Sequence, residues 1–497
     1  MTMALKPSQI TRRNFVQRAG LLVSALGVGA GVQSGLMDAI VKRATNKWGG
    51  EAIAAEPTAV AFHVEILMRA GFQLNSLFPS QGHTAAGRGA ALNVYSSTGK
   101  IIPRTITGGN AAANPAYFAQ YTAGTGADAL GTYIASKNGA YGIATSECIT
   151  LQNGQHTGNF ASRAPNSSVA SPAVMHAALG PSAPVTGIEW NNGVATTNQR
   201  GNYPALAVVK DQATMQSLYK DLPMYFTRGE LALIAGAFDQ TSGALTKGGT
   251  IDDFDKMFAA RNVPGAVDVA AVSVSGRNQA QLSVLAQLQA KFNAITANGV
   301  GGNFVGLTQS MGGTQLGLAL ANAAAAFSAG ILTTFTVSLD SNDWHGDISQ
   351  LDDPNGKQGM WNTYMGNALT GFLKSMDQLT SPIVGANAVP MSSSFLLSIG
   401  SEFTRTPNRN GGGTGSDNGD GGNGSFTFIG NKVKSGSYGN ITATGGVQGF
   451  DPITGATNTA AQITEAMIWK THGALMGISD TTLNNMMAGP YAKALVK

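Results

Sequence analysis

The sequence predicts an α/β protein whose core is a largely buried sheet, and two observations support that class. From Val60 onward, short apolar runs of strand length alternate with stretches of helical periodicity and Gly-rich turns, the pattern of a sheet covered by helices. Hydrophobic residues make up 43% of the 497 positions and charged residues only 12%, a composition that excludes a wholly disordered chain. The length allows one large α/β domain or two or three small ones.

Residues 1–54 form an N-terminal segment that we interpret as an export leader and linker. Arg12 and Arg13 are followed by Phe15 and Val16, and then by an apolar stretch at 21–32 that is too brief for a comfortable membrane span. This arrangement resembles a twin-arginine signal, which the twin-arginine export machinery recognises. It therefore predicts a periplasmic or extracellular protein. The alternative is a basic amphipathic helix.

The charge distribution excludes nucleic acid as a partner. Seven Lys or Arg and two Asp or Glu precede Glu56, giving +5, whereas the remaining 24 and 25 give −1. The basic character therefore belongs to the leader, and the body has no basic footprint for phosphate backbones. The single Cys148 excludes an intramolecular disulfide.

The body, 55–497, is predicted to be a single domain. The run FHVEILMRAGFQLNSLFP predicts a first core strand and the loop after it, and in that strand we interpret His63 as a hydrogen-bonded sheet residue rather than a ligand. The weaker periodicity of about 181–276 indicates an insertion or cap. Near the C-terminus, His472 is predicted to lie on the face of a closing helix, while His83 and His176 have no supporting neighbours in the sequence.

Helices and strands alternate through the second half of the body. Apolar residues recur at three- and four-residue steps over 278–298, which predicts a helix. A small-residue helix is predicted at 315–330, followed by a β-branched strand at 331–340. A further helix is predicted through 361–373 and a short strand at 391–400. Both strands end in polar residues.

The first polar cluster contains Asp343 and His345, and the second contains Glu402 and Arg405. Open α/β sheets bind their ligands at the carboxyl ends of strands, where these residues are expected to lie. A carboxylate and an imidazole two residues apart suit zinc or a transition metal if a further ligand arrives from elsewhere. The alternative for Asp343 and His345 is a solvated pair in a loop.

Five segments, taken together and in order, resemble an uncharacterised family of twin-arginine-exported bacterial proteins in the alkaline phosphatase and sulfatase superfamily. The matched segments are RAGFQLN, SNDWH, SEFTRTP, GSDNG and ITEAMIWKTHGALMGIS. The resemblance covers most of the chain, and SEFTRTP is its most specific motif. It implies an alkaline-phosphatase-like core sheet with helices on both faces and an inserted cap region.

The resemblance also implies a divalent metal centre and a small phosphate or sulfate ester as substrate. Asp343, His345, Asp417 and Glu402 would be assigned to the metal. Arg405 would bind a tetrahedral oxyanion through its planar fork, with an ion pair to Glu402 as the alternative.

The nucleophile is assigned within QNGQHTGNF. There Thr157 is a candidate nucleophile and His156 a candidate base or ligand, and the alternative is an ordinary polar loop.

Two positions depart from the family pattern. Gln73 replaces an Asp of the first loop, and Asn418 replaces the His of a D-H-G motif. Amides bind divalent metals more weakly than carboxylate or imidazole does, so the site is predicted to be partly degenerate, with one metal, a hard-cation site or none. The competing hypothesis is a non-catalytic exported protein for binding or assembly, with self-association through a surface poor in charge. A carbohydrate- or envelope-binding module fits the Asn/Thr/Gly-rich loops but has no motif behind it.

Overall fold

A computed structural model describes the chain from Val60 to the C-terminus, with gaps. The described residues are 60–69, 74, 77, 78, 101–104, 116–119, 126–137, 140–149, 168–181, 183, 185, 187–191, 198–211, 214, 215, 316–340, 357–384, 389–401, 423–441, 447–458 and 460–497. The sheet and helices given below all belong to one compact unit, with bounds Ala55–Asp211 and Lys291–Lys497.

The core is an eight-stranded sheet. Its strands are β1 (Phe62–Arg69), β4 (Gly142–Ile149), β5 (Ile188–Asn191), β6 (Ala207–Val209), β7 (Thr334–Asp340), β8 (Phe395–Ser401), β9 (Asn423–Gly430) and β10 (Gly436–Tyr438). The order across the sheet is β10-β4-β9-β8-β1-β7-β5-β6. Only β9 runs against the others in this sheet, since it pairs antiparallel with both β4 and β8. The α/β class predicted from the sequence is confirmed.

Two small antiparallel pairs lie outside the main sheet. One joins β2 (Ile101–Arg104) to β3 (Ala116–Ala119), and the other joins β11 (Asn440–Ile441) to β12 (Val447–Gln448).

The described helices are α1 (Gly126–Ser136), α2 (Pro172–Leu179), α3 (Leu316–Ser328), α4 (Lys357–Gln378), α5 (Glu465–Met476) and α6 (Asp480–Met486). Short 3₁₀ turns cover Met391–Ser393 and Lys493–Leu495. The helices predicted at 315–330, through 361–373 and near the C-terminus are confirmed as α3, α4 and α5, whereas the helix predicted at 278–298 lies outside the described residues. In the part of the chain that the structure describes, no helix has the length and apolarity needed to cross a bilayer.

The closing helix α5 has well-formed ends. The Thr464 side chain accepts a hydrogen bond from the Met467 backbone N–H at the N-terminus. Glu465 places an acidic side chain in the first turn, where a negative charge interacts favourably with the helix dipole. At the other end Gly477 has φ 85°, the left-handed conformation that glycine adopts without steric cost. These caps explain why the helix stops before the chain turns into α6.

Helices cover both faces of the sheet. Successive residues of a strand point to opposite faces, so Phe62 and His63 diverge. The Phe62 ring stacks on Phe327 of α3, with ring centroids 4.9 Å apart. The His63 ring contacts His472 of α5 and lies 5.3 Å from the ring of His176 of α2. We call the first side the apolar face and the second the polar face.

The central strands segregate their residues between these faces. On the apolar face, every side chain of β1 with a described position is hydrophobic: Phe62, Val64, Ile66 and Met68. The polar face instead has His63 and Glu65 on β1 and Thr334, Thr336 and Ser338 on β7, all buried. Hydrophobic burial against α3 stabilises the apolar face. On the polar face these polar groups lie beside a hydrophobic cluster in which α2 and α5 pack with Leu396 and Phe428.

The structure describes the middle of the chain only in part. Ile188–Asn191 and Ala207–Val209 fall within the predicted insertion of about 181–276, yet they form β5 and β6 of the main sheet. Residues 216–276 lie outside the described residues.

Candidate functional site

The carboxyl ends of the central strands align at one edge of the sheet. Arg69 at the end of β1 lies opposite Asp340 at the end of β7, and Met68 lies opposite Ser401 at the end of β8. We call this the carboxyl edge. It is where open α/β sheets bind ligands, because the connections that follow the strands converge there.

The antiparallel strand β9 starts at the carboxyl edge. Its first residue, Asn423, pairs with Ile149, the last residue of β4. The segments after β1, β4, β7 and β8, and the segment before β9, all adjoin this edge as a result.

None of the site residues predicted from the sequence lies in a described segment. The metal ligands predicted were Asp343, His345, Asp417 and Glu402, and the catalytic residues predicted were His156, Thr157 and Arg405. Gln73 and Asn418, the two departures from the family pattern, also lie outside the described residues. Their mutual geometry therefore stays a prediction. The structure does describe the strands that these residues follow or precede.

A second concentration of polar groups, which the sequence did not predict as a cluster, lies on the polar face. Glu189, Thr336, Glu65 and Ser398 form a row across β5, β7, β1 and β8. All four are at most 2% exposed. Buried carboxylates and hydroxyls are costly unless they have partners, so such a row requires a polar environment under α2 and α5.

Three histidines converge beside this row, on the side nearer the N-terminal ends of β1 and β7. The Nε2 atoms of His63 and His472 are 2.8 Å apart, although 409 positions separate the two residues in the sequence. Nδ1 of His472 lies 4.0 Å from Oε1 of Glu65. All three side chains are at most 1% exposed. The cluster connects the central strand β1 to the closing helix α5.

His176 on α2 completes the group. Its Nε2 donates to the backbone carbonyl of Val60 at 2.8 Å, and its Nδ1 lies 2.7 Å from the hydroxyl oxygen of Thr334. Ser171 caps the N-terminus of α2, where its hydroxyl accepts from the Val174 backbone N–H. The sequence showed no neighbours for His176, because its partners come from other elements.

Glu189 is the member of the row on β5, and its carboxylate has several hydrogen-bond donors. Its Oε2 accepts from the backbone N–H and the side-chain amide of Asn198 at 3.1 and 3.0 Å, and its Oε1 accepts from Asn191 at 3.3 Å. The Ser171 hydroxyl in turn donates to the Asn198 side chain at 2.9 Å. This chain of hydrogen bonds joins β5 to the start of α2.

The polar face does not fit a metal. No group of three or more His, Cys, Asp or Glu among the described residues could hold a metal ion. The Nε2–Nε2 contact of His63 and His472 is a hydrogen bond, which occupies the lone pair that a metal would need.

Predictions for the individual histidines can be compared with this geometry. His63 is a buried, hydrogen-bonded sheet residue, as predicted, and His472 lies on the predicted closing helix. Glu65 and Glu189 were missed. A signal for Glu65 was present, because His63 and Glu65 alternate with apolar Phe62, Val64 and Ile66, which places both polar groups on one face of a strand.

Comparison of the chain with protein-family models, with curated proteins and with solved structures found no match in any of the three.

Proposed function

We propose that the carboxyl edge is the functional site of an exported protein that hydrolyses phosphate or sulfate esters with the help of a divalent metal. The observation that carries the proposal is the alignment of strand ends: β1, β7 and β8 end in register, and β4 ends where β9 begins. Four of these strand ends adjoin one of the five matched segments, and the fifth, the end of β4, precedes QNGQHTGNF, the segment to which the nucleophile is assigned. An alkaline-phosphatase-like arrangement of the sheet, with an inserted cap, is part of the proposal.

Short intervals in the sequence support the same edge. Glu402 follows Ser401 directly, Asp343 follows Asp340 by three residues, and Asp417 precedes Asn423 by six. An extended chain advances at most about 3.6 Å per residue, so such intervals tie these residues to the strand ends. Acidic groups from distant parts of the sequence are thereby available to a common site.

The roles follow from the chemistry of the residues. Asp343, His345, Asp417 and Glu402 would hold the metal, which would polarise the ester when bound. Arg405 would neutralise the tetrahedral oxyanion with two hydrogen bonds. Thr157 would supply the attacking oxygen, with His156 accepting its proton.

A non-catalytic binding or assembly protein is the second candidate, and Gln73 and Asn418 favour it. Two amides at positions where the family pattern has Asp and His remove one negative charge and one imidazole from the site. Fewer strong ligands mean weaker metal binding, and the fold would then be retained for contacts with other molecules, including copies of itself.

The test is an assay of the purified exported protein on aryl phosphates and aryl sulfates with manganese, zinc or calcium supplied. The proposal predicts turnover that His345→Ala abolishes and that His83→Ala, a histidine outside the five segments, leaves intact. Absence of turnover on the whole panel would overturn the hydrolase function and favour the binding protein. Light scattering then separates the forms of that alternative, since discrete monomers exclude assembly.

Metal content gives a second measurement on the same samples. A partly degenerate site should retain at most one tightly held ion per chain, and His345→Ala should lose it. Two tightly held ions per chain would contradict the degeneracy while leaving the hydrolase proposal intact.

A further inference from the structure

The contact between His63 and His472 constrains how many protons the pair can hold. The two Nε2 atoms lie 2.8 Å apart, a distance at which one N–H donates to the lone pair of the other nitrogen. One of the two Nε2 atoms must therefore be without a proton. The two rings together can carry at most three ring protons, against four for two free imidazolium ions.

Burial enforces this limit. His63 and His472 are 0% and 1% exposed, so water cannot separate two rings that both carry a proton at Nε2. Two donors facing each other would lose the hydrogen bond and bring two positive charges together at short range. A fourth proton thus requires the rings to move apart.

We propose that His63 and His472 form a pH-sensitive contact that loosens the docking of α5 on the sheet as the pH falls. The described titratable groups that face the pair are Glu65 on β1, whose Oε1 is 4.0 Å from Nδ1 of His472, and His176 on α2, whose ring centroid is 5.3 Å from that of His63. Thr334 of β7 and Phe428 of β9 also adjoin the cluster and do not titrate in this range. Glu65 favours one positive charge on the pair.

The direction in which stability changes with pH follows from proton linkage. In the unfolded chain each histidine takes up its second proton near pH 6.5. Below that pH the unfolded state binds one proton more than the folded pair can accept, so stability decreases as the pH falls. One excluded proton corresponds to an increase of about tenfold in the unfolding equilibrium constant per pH unit.

His176 provides a matched control. It is as buried as the pair, at 1% exposed, but both of its ring nitrogens face oxygen atoms. The carbonyl of Val60 already accepts from Nε2, and the hydroxyl oxygen of Thr334 can accept from a protonated Nδ1. A second proton on His176 therefore keeps both hydrogen bonds.

The experiment compares urea unfolding of the full chain, His472→Gln and His176→Gln at pH 7.5 and pH 5.0. Glutamine can donate or accept at the same place and does not titrate. The unmodified protein and His176→Gln should show a similar increase in the unfolding equilibrium constant between the two pH values. In His472→Gln the increase should be about thirtyfold smaller, the effect of one proton over the roughly 1.5 pH units between 6.5 and 5.0. The proposal would be overturned if His472→Gln and the unmodified protein had the same pH dependence. It would also be overturned if His176→Gln reduced the pH dependence of the unfolding equilibrium constant as much as His472→Gln does.

A measurement on the unmodified protein keeps the proposal testable if His472→Gln does not fold. Amide hydrogen exchange, corrected for the intrinsic effect of pH, should show that peptides covering Glu465–Met476 lose protection on acidification before peptides covering Leu316–Ser328, the α3 helix on the apolar face. Parallel loss in the two helices would refute a contact specific to α5.

Discussion

Two buried tyrosines allow the hydrogen bonding of the core to be tested with the same substitution at both sites. The Tyr438 hydroxyl lies 2.9 Å from the carbonyl oxygen of Ala494 and 3.1 Å from that of Lys434, and so ties β10 to the C-terminal segment. The Tyr141 hydroxyl is equally buried and has no hydrogen-bond partner within the described part of the chain. Burial raises the pKa of both phenols, so both hydroxyls stay protonated at neutral pH.

The expected effects differ in size and sign. Tyr438→Phe removes a hydroxyl that donates to buried carbonyls, and we expect it to lower the free energy of unfolding by about 1–2 kcal/mol. Tyr141→Phe removes a buried polar atom and no hydrogen bond, so we expect no loss and a gain of up to about 1 kcal/mol. Packing is unchanged in both, because the aromatic ring remains.

Chemical denaturation monitored by circular dichroism measures both variants against the unmodified protein. The difference between the two variants, about 1–3 kcal/mol, is the quantity predicted. Equal destabilisation by both substitutions would refute the reasoning, since it would mean that ring environment, and not the hydroxyl partners of Tyr438, determines the cost.

Two further predictions concern the elements that position the polar face. Glu189→Gln should lower the free energy of unfolding by about 2 kcal/mol, because an NH₂ group would face the donors of Asn198 or Asn191, and a change below about 0.5 kcal/mol in urea unfolding would contradict it. Gly477→Ala should cost about 1 kcal/mol because φ is 85° at the end of α5, and faster amide exchange in that helix should accompany the loss. A neutral Gly477→Ala would indicate that the backbone relaxes there.

The residues that alternate along a strand or recur along a helix were accessible from the sequence. A core strand was predicted within FHVEILMRAGFQLNSLFP, and Phe62–Arg69 forms β1. The Ala-rich run before the β-branched segment was predicted as a helix and forms α3. Both depend on neighbours in the sequence, where side-chain period alone indicates which residues share a face.

The strands β5 and β6 were harder to predict. They are four and three residues long, and the region around them was interpreted as an insertion. Strands this short contain too few residues to show a period, and they become part of the sheet only because β7 offers a partner for β5 in register.

The residues of the candidate site also differ in whether the sequence could predict their positions. Segments bearing Asp343 and Glu402 were expected at strand ends, and the strands that precede them, β7 and β8, end in register with β1. The buried row of Glu65 and Glu189 could not be expected, because each carboxylate is a single polar residue in its own strand and only the pairing of strands aligns them.

The sequence by itself determined the α/β class and the approximate positions of β1, β7, β8, α3, α4 and α5, since these depend on patterns a few residues long. Only the tertiary structure decided the strand order, the reversal of β9 and the meeting of His63 with His472 across 409 positions. Such contacts depend on which surfaces pack together, and packing follows from the summed burial of many side chains rather than from any local pattern.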